Sequence, residues 1–307
     1  MIRRILTRLG TSVLVLWGAV TVSFTALHLT PGNVVDVLIG SSIVTPEVRA
    51  QIIADYGLDE PLFVQYATYL GRVLRGDLGQ SYQLHEPVAS AIGAQLGPSL
   101  QLAGASLLVA VVVSTTLAIL TARRRPWIRG LSSNLELIGV SIPTFWTAIL
   151  LLTIFSFQLG WFPAVGADGF ATLVLPVIAV ALPITTMLTQ MMREGLELTL
   201  EQPFVLTART RGMSDLGVRL RHALRHVLVP TVTLIGWLVG LTVGAMVAVE
   251  QIFSRQGIGQ LTLTAVGGKD LPVVMGVVLL TAVLYVVVNI IVDVLYLLID
   301  PRLRGAT

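Results

Sequence analysis

The amino-acid sequence predicts an all-α integral membrane protein with six transmembrane helices. Apolar residues make up 54% of the 307 residues and charged residues only 12%, whereas roughly 25% is usual for charged residues in soluble proteins. The mean hydropathy is +0.84. A soluble domain of this size could not cover its surface with so few charges, and the same composition excludes disorder. The absence of cysteine excludes disulfides and cysteine-based metal or redox sites.

Six stretches of the chain contain no Asp, Glu, Lys or Arg, and each is at least 22 residues long. A helix needs about 20 apolar residues to cross the hydrocarbon core. Backbone groups in lipid must be paired within the segment, and these stretches are too long and too uniformly apolar for barrel strands. The predicted spans are about 9–29, 99–122, 135–159, 171–192, 229–250 and 272–298.

The distribution of basic residues orients these spans. An even number of spans places both termini on one side, and that side carries fifteen of the 20 Lys and Arg residues. Basic residues favour the cytoplasmic side, so we expect cytoplasmic N- and C-termini. The first span is longer than a signal-peptide core of about 7–15 residues, and no A-x-A site follows it, so we expect a retained helix.

The extracytoplasmic loop 30–97 predicts two short amphipathic helices. Thr45 is suited to an N-cap, Pro46 to the first helical position and Gly57 to a helix stop. A second helical pattern covers 61–75. These helices fit packing against the membrane surface or the bundle, and they equally fit a docking platform for an extracytoplasmic partner.

The cytoplasmic link 193–228 predicts a helix of nine residues, Pro203–Arg211, that ends at Gly212. Phe204 and Ala208 share one face of it. Nine residues are too few for a helix that stands alone in water, so this helix must be buried against something. The pattern leaves open whether anionic lipid or a protein groove covers it.

Other residues predict helix packing rather than chemistry. Gly236, Gly240 and Gly244 recur every four residues on the fifth span, which permits close approach to a helix of this chain or of a second chain. Glu136 and Glu250 lie at span ends, where we expect a structural ion pair or hydrogen bond. Three prolines inside spans, Pro143, Pro176 and Pro183, should kink their helices.

No catalytic constellation is present in the sequence. There is no G-x-x-x-x-G-K-[ST] phosphate loop, no H-E-x-x-H and no G-x-S-x-G motif. We therefore expect a non-catalytic chain with no cofactor and no metal of its own.

The link 193–228 carries a motif that resembles the EAA loop of permease subunits in binding-protein-dependent ABC importers, and more specifically that of the dipeptide/oligopeptide permease family, DppB/OppB type. The motif is x-Thr207-Ala208-x-x-x-Gly212, followed by Arg221-His222-Ala223-Leu224-Arg225 and Pro230. Further matching segments are Leu29-Thr30-Pro31-Gly32, Tyr56 to Leu62, Gly76 to Ser81, Ser141 to Trp146, Val249 to Gly259, Asn289 to Asp293, and Asp300-Pro301-Arg302.

Two positions depart from the family pattern. The loop has Leu206-Thr207-Ala208 where the wider ABC pattern has Glu-Ala-Ala, as is common in this branch. Arg255 and Gln256 stand where the family often has Trp-Pro, so we expect a less apolar outer mouth of the pore.

The resemblance implies a type I ABC importer permease fold in a bacterial plasma (inner) membrane, importing short peptides. The implied partners are a homologous permease subunit, two ATPase domains that hold ATP and Mg, an extracytoplasmic substrate-binding protein and membrane lipid, but no nucleic acid. The implied residues of the ATPase-coupling helix and turn are Phe204, Thr207, Ala208, Arg209, Arg211, Gly212, Met213 and Ser214. Outer-loop docking is assigned to Asp59, Pro61, Asp77 and Gly79, and helix packing or the pore to Pro143, Phe145, Gly236, Gly240 and Gly244.

Three alternatives stay open at this point. The same importer class carries other substrates, such as nickel or peptide-like ligands. An ion-gradient-driven secondary transporter should have midplane charges or broken helices, and usually internal repeats; none of these signals is clear in the sequence. An intramembrane enzyme predicts a nucleophile–base pair or metal ligands within the spans, and none is evident.

Overall fold

The computed structural model describes residues 2–40, 42–165 and 169–299. The motif Asp300-Pro301-Arg302 and the tail arginine Arg304 lie outside the described residues. The helices are α1 (Ile2–Leu29), α2 (Val34–Ile39), α3 (Pro46–Tyr56), α4 (Leu62–Leu74), α5 (Val88–Thr121), α6 (Pro126–Ser141), α7 (Thr144–Leu151), α8 (Phe170–Thr199), α9 (Pro203–Thr210), α10 (Asp215–Val218), α11 (Leu224–Ile252), α12 (Ile258–Gly268) and α13 (Leu271–Ile299). Two π-helical segments, Leu152–Gln158 and Arg219–Ala223, continue α7 and connect α10 to α11.

Among the described residues, five helical segments are long and apolar enough to cross a membrane. They lie in α1, α5, α8, α10–α11 and α13, and the pair α6 and α7 passes the same test only when it is taken together. These segments contain the six stretches that hydropathy identifies, although α5 begins eleven residues earlier than the predicted span, at Val88 rather than 99. The prolines of α8, Pro176 and Pro183, do not interrupt that helix.

The predicted third span, 135–159, is broken in the structure. Helices α6 and α7 meet at an angle of 99°. Ile142 is extended (φ −82°, ψ 123°), as is usual for a residue that precedes proline, and Pro143 has no N–H with which to continue the hydrogen bonds of α6. The expected kink at Pro143 is therefore a full break between two helices.

The chain divides into two compact units. The first comprises residues up to 97 together with 256–287. Its core joins α1 to the helices of the 30–97 loop and to the beginning of α13, with Leu27, Leu38, Ile52 and Met275 buried together. The apolar faces of the predicted amphipathic helices thus pack against the chain itself.

The 30–97 loop contains more structure than the two predicted helices. Both helices exist as α3 and α4; Thr45 caps α3 by accepting a bond from Val48 N, and Gly57 ends it at φ +61°. In addition, α2 precedes them, and a hairpin of two-residue strands, β1 (Gln80–Ser81) and β2 (Glu86–Pro87), follows them. The Ser81 hydroxyl donates a hydrogen bond to the buried Asp270 carboxylate, which ties the hairpin to the start of α13.

The second unit comprises residues 98–255 and the chain from 288 onward. Helix α8 is buried along most of its length, and its core neighbours come from α5, α7 and α11. Glycine permits two close approaches in this unit. A Cβ at Gly139 of α6 would lie 2.5 Å from the Thr186 methyl carbon of α8, and one at Gly195 of α8 would lie 3.1 Å from Val227 of α11.

Two buried acids of the second unit have polar partners. Glu136 forms a buried ion pair with Arg193 (Nη2 to Oε2, 2.8 Å), and Glu250 accepts a bond of 2.6 Å from the Ser99 hydroxyl. The expectation of structural partners for these two acids therefore agrees with the structure. Arg255 differs from expectation, because its side chain is 1% exposed and donates to Gln101 Oε1 at 2.8 Å. Its guanidinium is buried inside this unit.

Candidate functional site

The 193–228 link forms the predicted short helix. Helix α9 has Pro203 at its first position, as predicted, and eight residues rather than nine, because Arg211 has left the helical conformation (φ −81°, ψ 9°). Gly212 follows with φ +83°, which glycine adopts without strain. Met213 N then donates to Ala208 O at 3.2 Å, which closes the end of the helix.

One face of α9 is buried within the second unit. Val205 and Ala208 are 1% and 8% exposed, and they pack with residues of α5, α8 and the π-helical segment Arg219–Ala223. Met213 is half-buried against the same cluster. Ala208 therefore packs against the chain itself, and its role in ATPase coupling stays a prediction. The other buried members of this cluster are Ala118, Ile119, Ala122, Met192, Leu196, Leu200, Val218, Ala223 and Val227.

The opposite face of α9 is open. The Leu206 side chain is 68% exposed, and Thr207, Arg209 and Thr210 are exposed around it. Phe204 is only partly covered, and its ring centroid lies 5.2 Å from that of His226. Phe204 and Ala208 thus do not form one contact surface, and the most exposed large apolar residue of this helix is Leu206.

The charged residues beyond α9 form a compact set. Ser214 caps α10 by accepting a bond from Gly217 N at 3.2 Å. Asp215 accepts a hydrogen bond from Arg209 Nη2 at one oxygen and from Arg219 Nε at the other, each at 2.8 Å. Arg211 is exposed. The structure therefore joins α9 to α10 through the predicted residues Arg209 and Ser214 and the additional residue Asp215.

Arg219 is a site residue that sequence reasoning missed. Its side chain is 4% exposed, and Nη1 donates to the carbonyl oxygens of Ile119 and Ala122 at 2.8 Å each. Ile119 lies in the last turn of α5 and Ala122 directly follows the helix, where a cation satisfies the unpaired acceptors of a helix end. The local sequence signal is the Asp215–Arg219 pair at i,i+4, which does not indicate contact with α5.

The predicted outer-loop docking residues fall into two groups. Asp59 and Pro61 are exposed in the turn before α4, and Phe63 in the first turn of α4 is 74% exposed. Asp77 and Gly79 instead hold the loop together. Asp77 accepts a bond from Arg72 Nε at 2.7 Å and one from Gly79 N at 2.9 Å.

Gly79 lies against an arginine–tyrosine stack in the first unit. The Arg72 guanidinium lies 4.4 Å from the centre of the Tyr56 ring, and a Cβ at Gly79 (φ +93°) would lie 2.5 Å from the Tyr56 hydroxyl. Burial raises the pKa of Tyr56, so the phenol stays neutral beneath the cation. The Arg72 hydrogen bond lowers the pKa of the Asp77 carboxyl, so this carboxyl remains ionised.

The residues predicted for helix packing or the pore lie in different environments in the structure. Pro143 stands at the bend between α6 and α7, beside an apolar groove, and Phe145 of α7 is 48% exposed. A Cβ at Gly236 would touch Val292 of α13 at 3.0 Å, so Gly236 packs within the chain. Apart from the chain neighbours and the adjacent helix backbone, no heavy atom of the described residues lies within 4 Å of a Cβ built at Gly240 or Gly244. These two glycines border an open face that includes Trp237 and Leu241, which are 57% and 54% exposed.

These features define a multi-pass α-helical membrane protein with a short helix held at the end of its bundle. The fold is similar to a chain of the MetNI methionine ABC transporter in an inward-facing crystal structure. The TM-score is 0.58 at 16% identity, and the alignment covers 68% of this chain and 96% of that chain. The all-α permease fold predicted from the sequence is thereby confirmed.

The family assignment follows from the sequence comparisons. Residues 114–305 match the family described as "binding-protein-dependent transport system inner membrane component", and residues 1–103 match its N-terminal counterpart. The chain belongs to this family of ABC importer permeases, so the predicted resemblance is confirmed.

Its relatives align along nearly the whole chain. A protein of Brucella suis biovar 1 named as a peptide permease is 36% identical over 317 residues, 99% of each chain. A Brucella abortus protein named as a peptide transport system permease is 35% identical over 98% of each chain. The glutathione transport system permease protein GsiC of Salmonella paratyphi A is 35% identical over 92% of each chain.

Proposed function

We propose that the chain is the membrane-spanning permease subunit of an ABC importer that carries short peptides into a bacterial cytoplasm. It forms part of the pore and contributes no catalytic residue; ATP, with Mg, is hydrolysed on separate ATPase subunits. Its termini and the 193–228 link face the cytoplasm, and the 30–97 loop faces outward. A homologous permease subunit completes the pore, and an extracytoplasmic binding protein delivers the peptide.

The observation that carries this proposal is the two-sided character of α9. Val205 and Ala208 fix the helix on the second unit, while Leu206 is 68% exposed on its other side. A leucine presented on a short, supported helix fits an apolar cleft of a protein partner better than it fits water. An ATPase cleft supplies that cover, and closure of two ATPase domains would move the docked helices as rigid bodies.

Substrate class rests on the names of the relatives. Two of the three relatives described above are named for peptides and one for glutathione. Glutathione is itself a tripeptide-like molecule, so we propose short peptides as the class and glutathione as the second candidate within it. In such an importer the binding protein performs most of the substrate selection.

The experiment that tests the proposal is a tagged purification from native membranes in mild detergent, followed by mass spectrometry and an ATPase assay. We expect an ATPase and a second permease in stoichiometric amounts, with a binding protein whose bound ligand is a short peptide or glutathione. A monodisperse chain without partners and without ATP hydrolysis would favour an ion-gradient-driven transporter instead.

A further inference from the structure

Two arginines from different segments share one carboxylate beside α9. Arg209, in the last turn of α9, donates to one Asp215 oxygen, and Arg219 donates to the other, each at 2.8 Å. The Asp215 and Arg209 side chains are both 45% exposed. Their contact alone is a surface ion pair, which typically contributes about 0.2–1 kcal/mol.

Arg219 turns this surface pair into a connection with the bundle. Its side chain is 4% exposed, and Nη1 bridges the carbonyl oxygens of Ile119 and Ala122 at the end of α5. A buried guanidinium needs both a counter-charge and acceptors for its donors. Asp215 supplies the charge and α5 supplies the carbonyls, so the position of Arg219 is fixed from two sides.

The other charged contacts near the ends of α5 and α8 are weaker. Arg123 lies 3.7 Å from Glu201, Arg129 lies 3.3 Å from Glu197, and both arginine side chains are about half-exposed. Only two residues of α9, Val205 and Ala208, are buried. The Arg209–Asp215–Arg219 contacts therefore act together with the burial of Val205 and Ala208 in orienting α9.

We infer that Arg219 is a positioning residue that makes α9 and the end of α5 move as one body, with Asp215 as the junction between them. This inference rests on the proposed function, in which α9 receives the motion of an ATPase. A displacement of α9 then reaches the pore through α5, and loss of Arg219 or Asp215 leaves ATP hydrolysis in place while transport becomes inefficient.

The test compares transport with ATP hydrolysis in the importer purified with its partners and reconstituted in proteoliposomes. The variants are Arg219→Gln, Arg219→Lys and Asp215→Asn. We expect Arg219→Gln and Asp215→Asn to lower the number of peptides imported per ATP hydrolysed by at least about fivefold, the lower end of typical coupling between sites. Arg219→Lys keeps the charge and should restore part of this ratio.

Two further variants serve as controls. Arg129→Gln removes an exposed arginine of a surface ion pair and should leave the ratio unchanged. Leu206→Glu alters the exposed face of α9 and should abolish ATPase binding altogether. Loss of binding in Leu206→Glu with a normal ratio in Arg219→Gln and Asp215→Asn would overturn the positioning role while preserving the proposed function. Normal binding and uptake in Leu206→Glu would overturn the proposed function itself.

A distance measurement keeps the inference testable if Arg219→Gln assembles poorly. Asp215→Asn acts at a half-exposed side chain and leaves the Arg219 bonds to α5 available. Because the chain has no cysteine, spin labels attach to it only at introduced cysteines, here in place of Thr210 on α9 and Thr116 on α5; a complex without introduced cysteines serves as the labelling blank. We expect one narrow distance in the otherwise unmodified importer with and without ATP, and a broadened one in Asp215→Asn. Equal distributions in both proteins would contradict the connection.

Discussion

Arg193 and Glu136 form an ion pair that is buried inside the helical bundle, where each charge depends on its hydrogen-bond partners. Arg193 donates to both carboxylate oxygens of Glu136 and to the hydroxyls of Ser132 and Ser133. Removing one partner of such a pair leaves an uncompensated buried charge, which typically costs about 3–5 kcal/mol. We therefore expect Glu136→Ala to lower markedly the free energy of unfolding in detergent, measured by tryptophan fluorescence.

The matched control is Arg49→Ala. Arg49 pairs with Asp36 at 2.7 Å, but their side chains are 41% and 59% exposed. This substitution should cost less than about 1 kcal/mol. If the two variants unfold alike, the buried pair does not stabilise the protein as its geometry indicates.

Asp77 gives the 30–97 loop a defined pH dependence. The hydrogen bond from Arg72 lowers the pKa of this carboxyl, so its ionised form stabilises the folded loop above the unfolded pKa of about 3.9. This contribution is lost as the pH falls through the lower pKa of the folded state. We expect Asp77→Asn to be less stable than the natural chain at pH 7, by about 0.2–1 kcal/mol. The difference should shrink as the pH falls below about 3.9, as monitored by urea unfolding between about pH 2 and pH 7. A constant difference would contradict the Arg72 pairing.

Individual residues could be assigned a structural role from the sequence where that role depends on neighbouring residues. Thr45 and Gly57 cap and stop α3 because each acts on backbone groups within a few positions. Arg219 was not predictable as a cap for α5, because the carbonyls that it binds lie 97 and 100 positions away. The burial of Arg255 escaped prediction for the same reason, since its partner Gln101 lies on another helix.

At the scale of elements, the contact between α6 and α8 depends on a missing side chain. A Cβ at Gly139 would lie 2.5 Å from Thr186, a distance that forces the two helices apart. We expect Gly139→Val to destabilise the protein by about 1–3 kcal/mol, the usual cost of overpacking. Thermal unfolding of the purified chain measures this effect.

Gly240 provides the matched comparison, because no described atom lies within 4 Å of a Cβ at that position. Gly240→Val should leave the unfolding of the isolated chain unchanged. A fall in stability equal to that of Gly139→Val would show that space around glycine does not decide the outcome.

Helix positions were more predictable than helix directions. The rules for proline locate the interruption at Pro143. They do not predict the angle of 99° between α6 and α7, both of which pack on α8. The hairpin of β1 and β2 was not predicted, because two-residue strands are too short to show alternation. The i,i+4 spacing placed Phe204 and Ala208 on one face of α9, but it does not predict that Ala208 is buried while Leu206 is exposed.

At the scale of the whole molecule, hydropathy predicted the membrane-spanning helices because lipid constrains every residue of a span. Hydrogen bonds between residues far apart in the sequence cannot be predicted from hydropathy. Ser81 and Asp270 are 189 residues apart and both polar, and nothing in their local sequence indicates that they meet. Hydropathy alone does not predict which fold the membrane-spanning helices adopt. The family motifs do, since their order indicates which loop carries the short helix.

The proposed contact of an ATPase subunit with α9 is tested most directly by site-specific photo-crosslinking in native membranes. A photoreactive residue at position 206, where the leucine is 68% exposed, is compared with one at position 63 in α4, where the phenylalanine is 74% exposed. We predict an ATPase adduct from position 206 and none from position 63, which should instead capture a binding protein. Absence of an ATPase adduct at position 206, in membranes where uptake is normal, would contradict the account.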